Sequence, residues 1–271
     1  MAVNYAEKYS NVVDERFTQQ AITTPAVNQN YEWDGTSTVK VFSIGTSELN
    51  DYKRTGSNRY GEPEELGNEV QEMLLTQDKA FTFTIDRASH DDTHMTMEAG
   101  KALQREIDEI IVPHIDAYRL SKMVENAGAT ATGAITSKNA YDAFLDGVIA
   151  LNTAKAPKQS RIAYVNPTFY KAIRLDESFI KPSDIAQNIL INGSLGMVEG
   201  IQLLDGVGLL PENTNFLITH NVATTAPTKL QDYNIHENPP GINGWLVEGR
   251  IRFDAFVLKN KRGAIYAHNK A

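Results

Sequence analysis

The sequence predicts an α+β fold, and three observations predict it. Residues 38–44 (TVKVFSI) and 79–86 (KAFTFTID) alternate polar and apolar side chains, the period-two pattern of half-buried strands. Downstream, a single apolar stripe runs along roughly 33 residues, a helix of about 50 Å at 1.5 Å per residue. Beyond that, RIAYVNPTFYKAI (161–173) couples a short strand directly to a helix, the mark of a mixed region.

Bulk properties bound the rest. The chain has 271 residues, 41% hydrophobic and 22% charged, the composition of an ordinary folded protein. No run of about 18 apolar residues exists to span a membrane, and MAVNYAEKYS lacks the basic start and apolar core of a secretory signal. The expectation is a protein made and kept in a cytoplasm. The absence of cysteine excludes disulfides, thiolate metal sites and a cysteine nucleophile. A formal net charge of −8 argues against a sequence-independent nucleic-acid binder, which needs a basic footprint to displace phosphate counterions. It is compatible with an acidic wall that encloses nucleic acid without holding it.

In chain order, residues 1–30 are poor in bulky apolar groups and contain Pro25. They read either as a frayed terminus or as an arm that orders on a neighbour. Between the two strands lie more than thirty residues, including GSNRYGEPEELGNEV (56–70). Lys53, Arg54 and Arg59 stand at or before its start; Glu62, Glu64, Glu65 and Glu69 fill its end. Loops beyond about 12–15 residues are unusual in compact domains, so this stretch reads as a hairpin-like excursion that needs something to lie on.

The long helix takes Asp92 or Thr93 as its cap and Gly128 as its stop. Ala99, Leu103, Ile107, Ile110, Ile111, His114, Ile115 and Tyr118 form its stripe. Glu98–Lys101, Arg105–Glu109, Asp116–Arg119 and Lys122–Glu125 are expected on its exposed flanks. Pro113 crowds the Glu109 carbonyl and predicts a kink.

ATATGAITS (129–137) reads as a small-residue linker, with Ser137 capping a helix that carries Tyr141, Phe144, Leu145, Val148 and Leu151. Arg161–Val165 is a strand; Asn166 and Pro167 are the cap and first residue of a helix. KPSDIAQNILING (181–193) predicts another helix, and GIQLLDG and NFLITH predict strands. In GWLVEGRIRFDAFV, Trp245, Val247, Gly249, Ile251, Phe253, Ala255 and Val257 share one face of a long strand. KNKRG is then a turn and AIYAH its returning partner, the pair packing on the long helix.

Catalytic signals are sparse. His90, Asp91, Asp92 and His94 could hold a divalent metal, but aspartates there equally cap the helix and no second cluster supplies further ligands. His220, His236 and His268 read as surface or structural histidines. No G-x-S-x-G, P-loop or G-x-G-x-x-G is present, and the sequon at Asn192 is a short pattern with no secretory signal beside it. The reading is no enzyme, no cofactor and no metal.

The order of parts, together with YEWDGTSTVKVFSI, LNDYKRTGSNRYGEPEELGNEVQEMLLTQDKAFTFTID, EIIVPHIDAYRL and GWLVEGRIRFDAFVLKNKRGAIYAH, resembles the major capsid proteins of tailed bacteriophages, the Hong Kong 97-type fold, over nearly the whole chain. The resemblance implies an N-terminal arm (1–30), an extended loop with its flanking strands (31–86), a peripheral domain with a spine helix (87–135), an axial domain (136–238) and return strands of the peripheral domain (239–271). It implies self-assembly through pentamers and hexamers into an icosahedral shell enclosing double-stranded DNA without sequence-specific binding, with no membrane. By the same likeness the protein is a virion component assembled in the bacterial host cytoplasm, with a separate scaffolding protein and a portal protein as partners. The charged loop would lie across a neighbouring subunit, where rim charges set register more than affinity. No covalent Lys–Asn cross-link is expected. The competing readings are an encapsulin-like nanocompartment shell, a metal-dependent enzyme using His90–His94, and a tail tube protein, against which the long helix argues.

Overall fold

The computed structural model describes residues 21–28, 38–44, 47, 49–62, 65, 67–86, 96–176, 196–206 and 208–271. The His90–His94 cluster, the segment 181–193 and residues 1–20 of the arm lie outside them.

Strand β1 (Thr38–Ile44) pairs antiparallel with β2 (Asn68–Leu74), from Thr38 opposite Leu74 to Ile44 opposite Asn68. The sequence reading leaves 68–74 in the charged excursion. Its polarity is inverted: Val70 and Leu74 are exposed while Met73 is buried, so no apolar alternation announces a strand. Pairing with β1 decides its state. Thr76 then turns the chain into β3 (Gln77–Asp86).

The long helix is α1 (Thr96–Glu106), a π turn (Ile107–Ile111) and α2 (Val112–Glu125). The π turn falls immediately before Pro113, where an α-helix would lose the bond to the Glu109 carbonyl; the Val112 N–H bonds back to Ile107 instead. The extra residue rotates the stripe. Ala99, Leu103, Ile107, Ile111 and Ile115 stay buried, whereas Ile110 and His114 face solvent. Arg105–Glu109 and Lys122–Glu125 are exposed pairs at 2.8 Å. Asp116–Arg119 is not on a flank but buried.

Next come β4 (Ala129–Thr132), α3 (Ala140–Thr153), β5 (Arg161–Val165), α4 (Pro167–Arg174), β6 (Gly196–Val198), β7 (Ile201–Asp205) and β8 (Thr214–His220). After them lie β9 (Thr224–Thr225), β10 (Thr228–Glu237), β11 (Gly244–Phe253), β12 (Phe256–Val257), a 3-10 turn (Lys259–Ala264) and β13 (Ile265–Asn269). Asn166 caps α4 by accepting from the Thr168 N–H at 3.1 Å, ahead of Pro167 at the first helical position. Asn139, not Ser137, is the N-cap of α3. Its side chain folds back to Thr136, and buried Asp176 accepts from the Tyr141 N–H at 3.1 Å in its place.

A six-stranded sheet runs β4-β13-β8-β5-β7-β6, and a three-stranded sheet runs β10-β11-β3. Two sequence expectations change here. ATAT is a strand parallel to β13 rather than a linker. AIYAH is β13, which pairs with β4 and β8; the partners of β11 are β10 and β3. A bend at Asp254–Ala255 ends β11 and sends the chain to the other sheet.

Two cores result. Phe81, Phe83, Tyr233, Val247, Ile251 and Phe253 of the smaller sheet pack on the long-helix stripe. The six-stranded sheet closes with α3 and α4 around Phe144, Phe169, Phe216 and Tyr266, with the Phe169 and Phe216 rings 4.4 Å apart. Gly249 is required in β11: a Cβ there would stand 2.4 Å from the Phe81 ring and 2.6 Å from Tyr233.

Candidate functional site

The sequence directs attention to the excursion between β1 and β3. The structure makes it a two-stranded ribbon that joins neither larger sheet. Such a ribbon is marginally stable alone, so its root matters. Val41 and Met73 pack on Leu258, with Phe256 beside them. Gln71 clamps the root with both ends of its amide, Nε2 donating to the Val257 carbonyl (3.2 Å) and Oε1 accepting from the Lys259 N–H (3.0 Å). At the bend into β3, buried Asp254 accepts from the Thr76 N–H (2.7 Å), the Thr76 hydroxyl (2.8 Å) and the Tyr118 hydroxyl of α2 (2.7 Å). One carboxylate thus ties the ribbon, the small sheet and the spine helix together. It also raises the Tyr118 pKa, after burial as the larger cause.

The ribbon's end is ordered locally. The Lys53 N–H donates to the Arg59 carbonyl at 3.0 Å, and the Tyr52 and Tyr60 rings meet edge-to-face at 5.1 Å. Gly61 takes φ +95°, and a Cβ there would come within 2.5 Å of the Asn50 amide. Lys53, Arg54, Arg59, Glu62 and Glu65 are all exposed at this end. Glu69 lies on β2, and Glu64 is outside the described residues. Charge reading alone misses the apolar part of this surface: Leu49, Tyr60, Val70 and Leu74 are more than 40% exposed. The two tyrosines bracketing YKRTGSNRY were the available signal. Aromatic groups with arginines among them are the side chains that interfaces favour.

A second feature ties residues 21–28 to the rest of the fold. Asp116 on α2 accepts from the Ile22 N–H (3.0 Å) and, through a short bond, from the Thr23 hydroxyl. Arg119 donates to the Thr23 hydroxyl oxygen (3.1 Å), and the Tyr164 hydroxyl of β5 donates to the Ile22 carbonyl (2.9 Å). The Asn28 N–H donates to the Thr224 carbonyl at 2.8 Å. Residues 21–28 are therefore stitched to α2, β5 and β9, and Ala26 and Val27 pack with Leu120, Met123 and Tyr164. Burial raises the Asp116 pKa and lowers that of Arg119.

Catalytic chemistry finds little support. Among the described residues no group of three His, Asp or Glu is arranged to hold a metal. His268 stacks on Phe216 at 5.1 Å beside Asn215, His220 accepts from the Val222 N–H at 3.1 Å, and His236 meets Glu248 at 2.9 Å. A shallow depression of about 410 Å³ lies over the polar face of the small sheet. There Arg250 grips Asp78 at 2.9 and 2.7 Å and holds its carboxyl below the ordinary value. Nothing in it pairs a nucleophile with a base. No described helix is long and apolar enough to cross a membrane.

No protein-family model matches the chain, and no curated protein matches it. Solved structures do. A structure of Mycobacterium phage Che8 is similar over 92% of this chain and 91% of its own, at 17% identity and TM-score 0.67. The capsid structure of the cyanophage P-SCSP1u covers 91% and 86%, at 11% identity and TM-score 0.64. A virus-like particle from Pyrococcus furiosus covers 98% and 100%, at 13% identity and TM-score 0.60. At such identities the likeness is one of fold.

Proposed function

We propose that this chain, whose fold is the Hong Kong 97 type shared with those phage shells, is a major capsid protein that assembles through pentamers and hexamers into an icosahedral shell around double-stranded DNA. The observation that carries the reading is the ribbon. It is rooted by Gln71, Asp254 and a small apolar contact, yet it ends in exposed tyrosines and charges with no core of their own. A monomer has no use for such a ribbon; a shell subunit lays it on a neighbour. Segment 31–86 is the extended loop, and residues 1–30 are a strap anchored by its last part, 21–28. The spine helix with β3, β10 and β11 forms the peripheral part, and the six-stranded sheet with α3 and α4 the axial part. A scaffolding protein and a portal are the expected partners, and the chain is no enzyme.

A second reading has its own support. The similarity to the Pyrococcus furiosus virus-like particle spans all of that chain, which suits a nanocompartment shell. Negative-stain microscopy and light scattering on the purified protein, alone and with the candidate scaffold, test both. Closed shells or capsomer rings are expected. Shells that need no scaffold and carry a co-purified enzyme favour the compartment. A uniform small monomer under both conditions overturns the shell reading and sends attention to metal binding by His90–His94.

A further inference from the structure

On a chain of net charge −8, two stretches carry only positive charge. Residues 153–163 hold Lys155, Lys158 and Arg161, residues 256–266 hold Lys259, Lys261 and Arg262, and neither contains Asp or Glu. The fold brings them to one corner of the six-stranded sheet. A Cβ on Gly263 would lie 3.0 Å from that of Ala154, Arg161 is the register partner of His220, and the Leu258 N–H donates to the Ala223 carbonyl at 3.0 Å.

The corner is built rather than merely basic. Arg161 is buried, and it donates to the Pro157 carbonyl (2.8 Å), the Ala156 carbonyl (2.7 Å) and the Asn152 side-chain oxygen (2.9 Å). All three acceptors are neutral, so its charge is not cancelled by them, and it fixes the loop that presents Lys155 and Lys158 to solvent. Lys155 and Ser160 sit at φ +56° and +60°, conformations that L-residues adopt when the surroundings impose them. The buried His220 ring lies between the two stretches; burial first, and then the nearby Arg161 and Lys261 charges, lower its pKa. The neighbouring acid on α2, Glu125, is taken up by Lys122.

We infer that this corner binds the phosphate backbone of nucleic acid. A protein partner is the weaker fit, because interfaces between proteins carry an apolar centre and neither stretch contributes an exposed large apolar side chain. A phosphate backbone asks only for charge. The acidic balance elsewhere keeps the affinity per copy low, so the contact acts through many copies. Its biological setting rests on the shell reading; its chemistry does not.

The test is fluorescence anisotropy of a labelled 30-base-pair duplex of random sequence, titrated with the purified protein in whichever assembly state it adopts. The triple variant Lys155→Gln/Lys158→Gln/Lys261→Gln is compared with Lys138→Gln/Lys171→Gln/Lys270→Gln, which removes equal charge elsewhere. With Lys155, Lys158, Lys261 and Arg262 as the phosphate contacts, wild type is expected to bind with a log–log salt slope of about −3.6 and the corner variant near −1. The corner variant should lose at least ten-fold in affinity at low salt and the control less than three-fold, with equal circular dichroism. No duplex binding by wild type up to about 1 mM, well past ordinary non-specific affinities, overturns the inference. So do equal losses in both variants, or competition by polyglutamate as effective as that by unlabelled duplex. A chain that never assembles but binds through these lysines sinks the shell reading alone; normal shells that do not bind sink this inference alone.

Discussion

Asp116 and Arg119 lie one turn apart on α2, 4.0 Å from each other and at most 3% exposed, and Thr23 of the N-terminal segment bonds to both. The long helix thus holds residues 21–28 through a buried charged pair. Removing one member leaves the other charged and unpaired. Asp116→Ala is expected to cost about 3–5 kcal/mol, read as a shift in the urea midpoint. Unchanged stability would mean the segment is held by its other contacts, the Tyr164 and Asn28 hydrogen bonds and the burial of Ala26 and Val27.

The same carboxyl gives a pH dependence with a definite sign. Burial raises the Asp116 pKa in the folded state against Thr23, Arg119 and backbone contacts that lower it. A raised carboxyl binds its proton more tightly when folded. Its contribution to stability is fully present below the unfolded value of about 3.9 and is lost as pH rises through the folded value. Asp116→Asn keeps an acceptor for the Ile22 N–H and cannot ionise. Unfolding series from acidic to neutral pH should show wild type losing ground to Asp116→Asn as pH rises; parallel curves would contradict the assignment.

Asp254 holds four donors at the bend between ribbon and sheet, the Ala255 N–H (2.8 Å) besides Thr76 and Tyr118. Asp254→Ala should destabilise by about 2–4 kcal/mol, the scale of charged hydrogen bonds lost from a buried site. It should also open the bend near Thr76 to protease before the rest of the chain. Cleavage no faster than in wild type would remove Asp254 from its role as the ribbon's anchor.

Gly249→Ala places a methyl group against Phe81 and Tyr233 in the middle of the small sheet. Overpacking of this kind costs about 1–3 kcal/mol. Thermal unfolding measures it, and restoration by adding Phe81→Leu would identify the ring as the clashing partner.

At the ribbon's end, Arg54→Glu with Arg59→Glu touches exposed side chains. Stability should change by no more than about 0.5 kcal/mol per site, while assembly measured by light scattering is impaired. Normal shells from this folded double variant would end the account of the loop docking by charge.

Much of the fold was legible in residues 38–44, 79–86 and 161–173, because alternation, an Asn–Pro helix start and β-branched runs act locally. The helical stripe was legible except at Ile110 and His114, where the π turn before Pro113 shifts the register. Residues 68–74 were not legible as a strand, since Gln71 turns inward to clamp Val257 and Lys259 while Val70 and Leu74 face out.

By itself, the sequence determined the α+β class, the long helix, the charged excursion and the absence of cysteine chemistry, all properties of neighbouring residues in the chain. Which strands meet was decided only in three dimensions. β13 looks like the partner of β11, yet it pairs with β4 and β8, because the bend at Asp254 redirects the chain. The burial of Asp116 and Arg119, an ordinary surface pair by spacing, and the meeting of two basic stretches about a hundred residues apart in the chain come from the same cause. Burial and proximity between distant segments are set by packing, which no local pattern encodes.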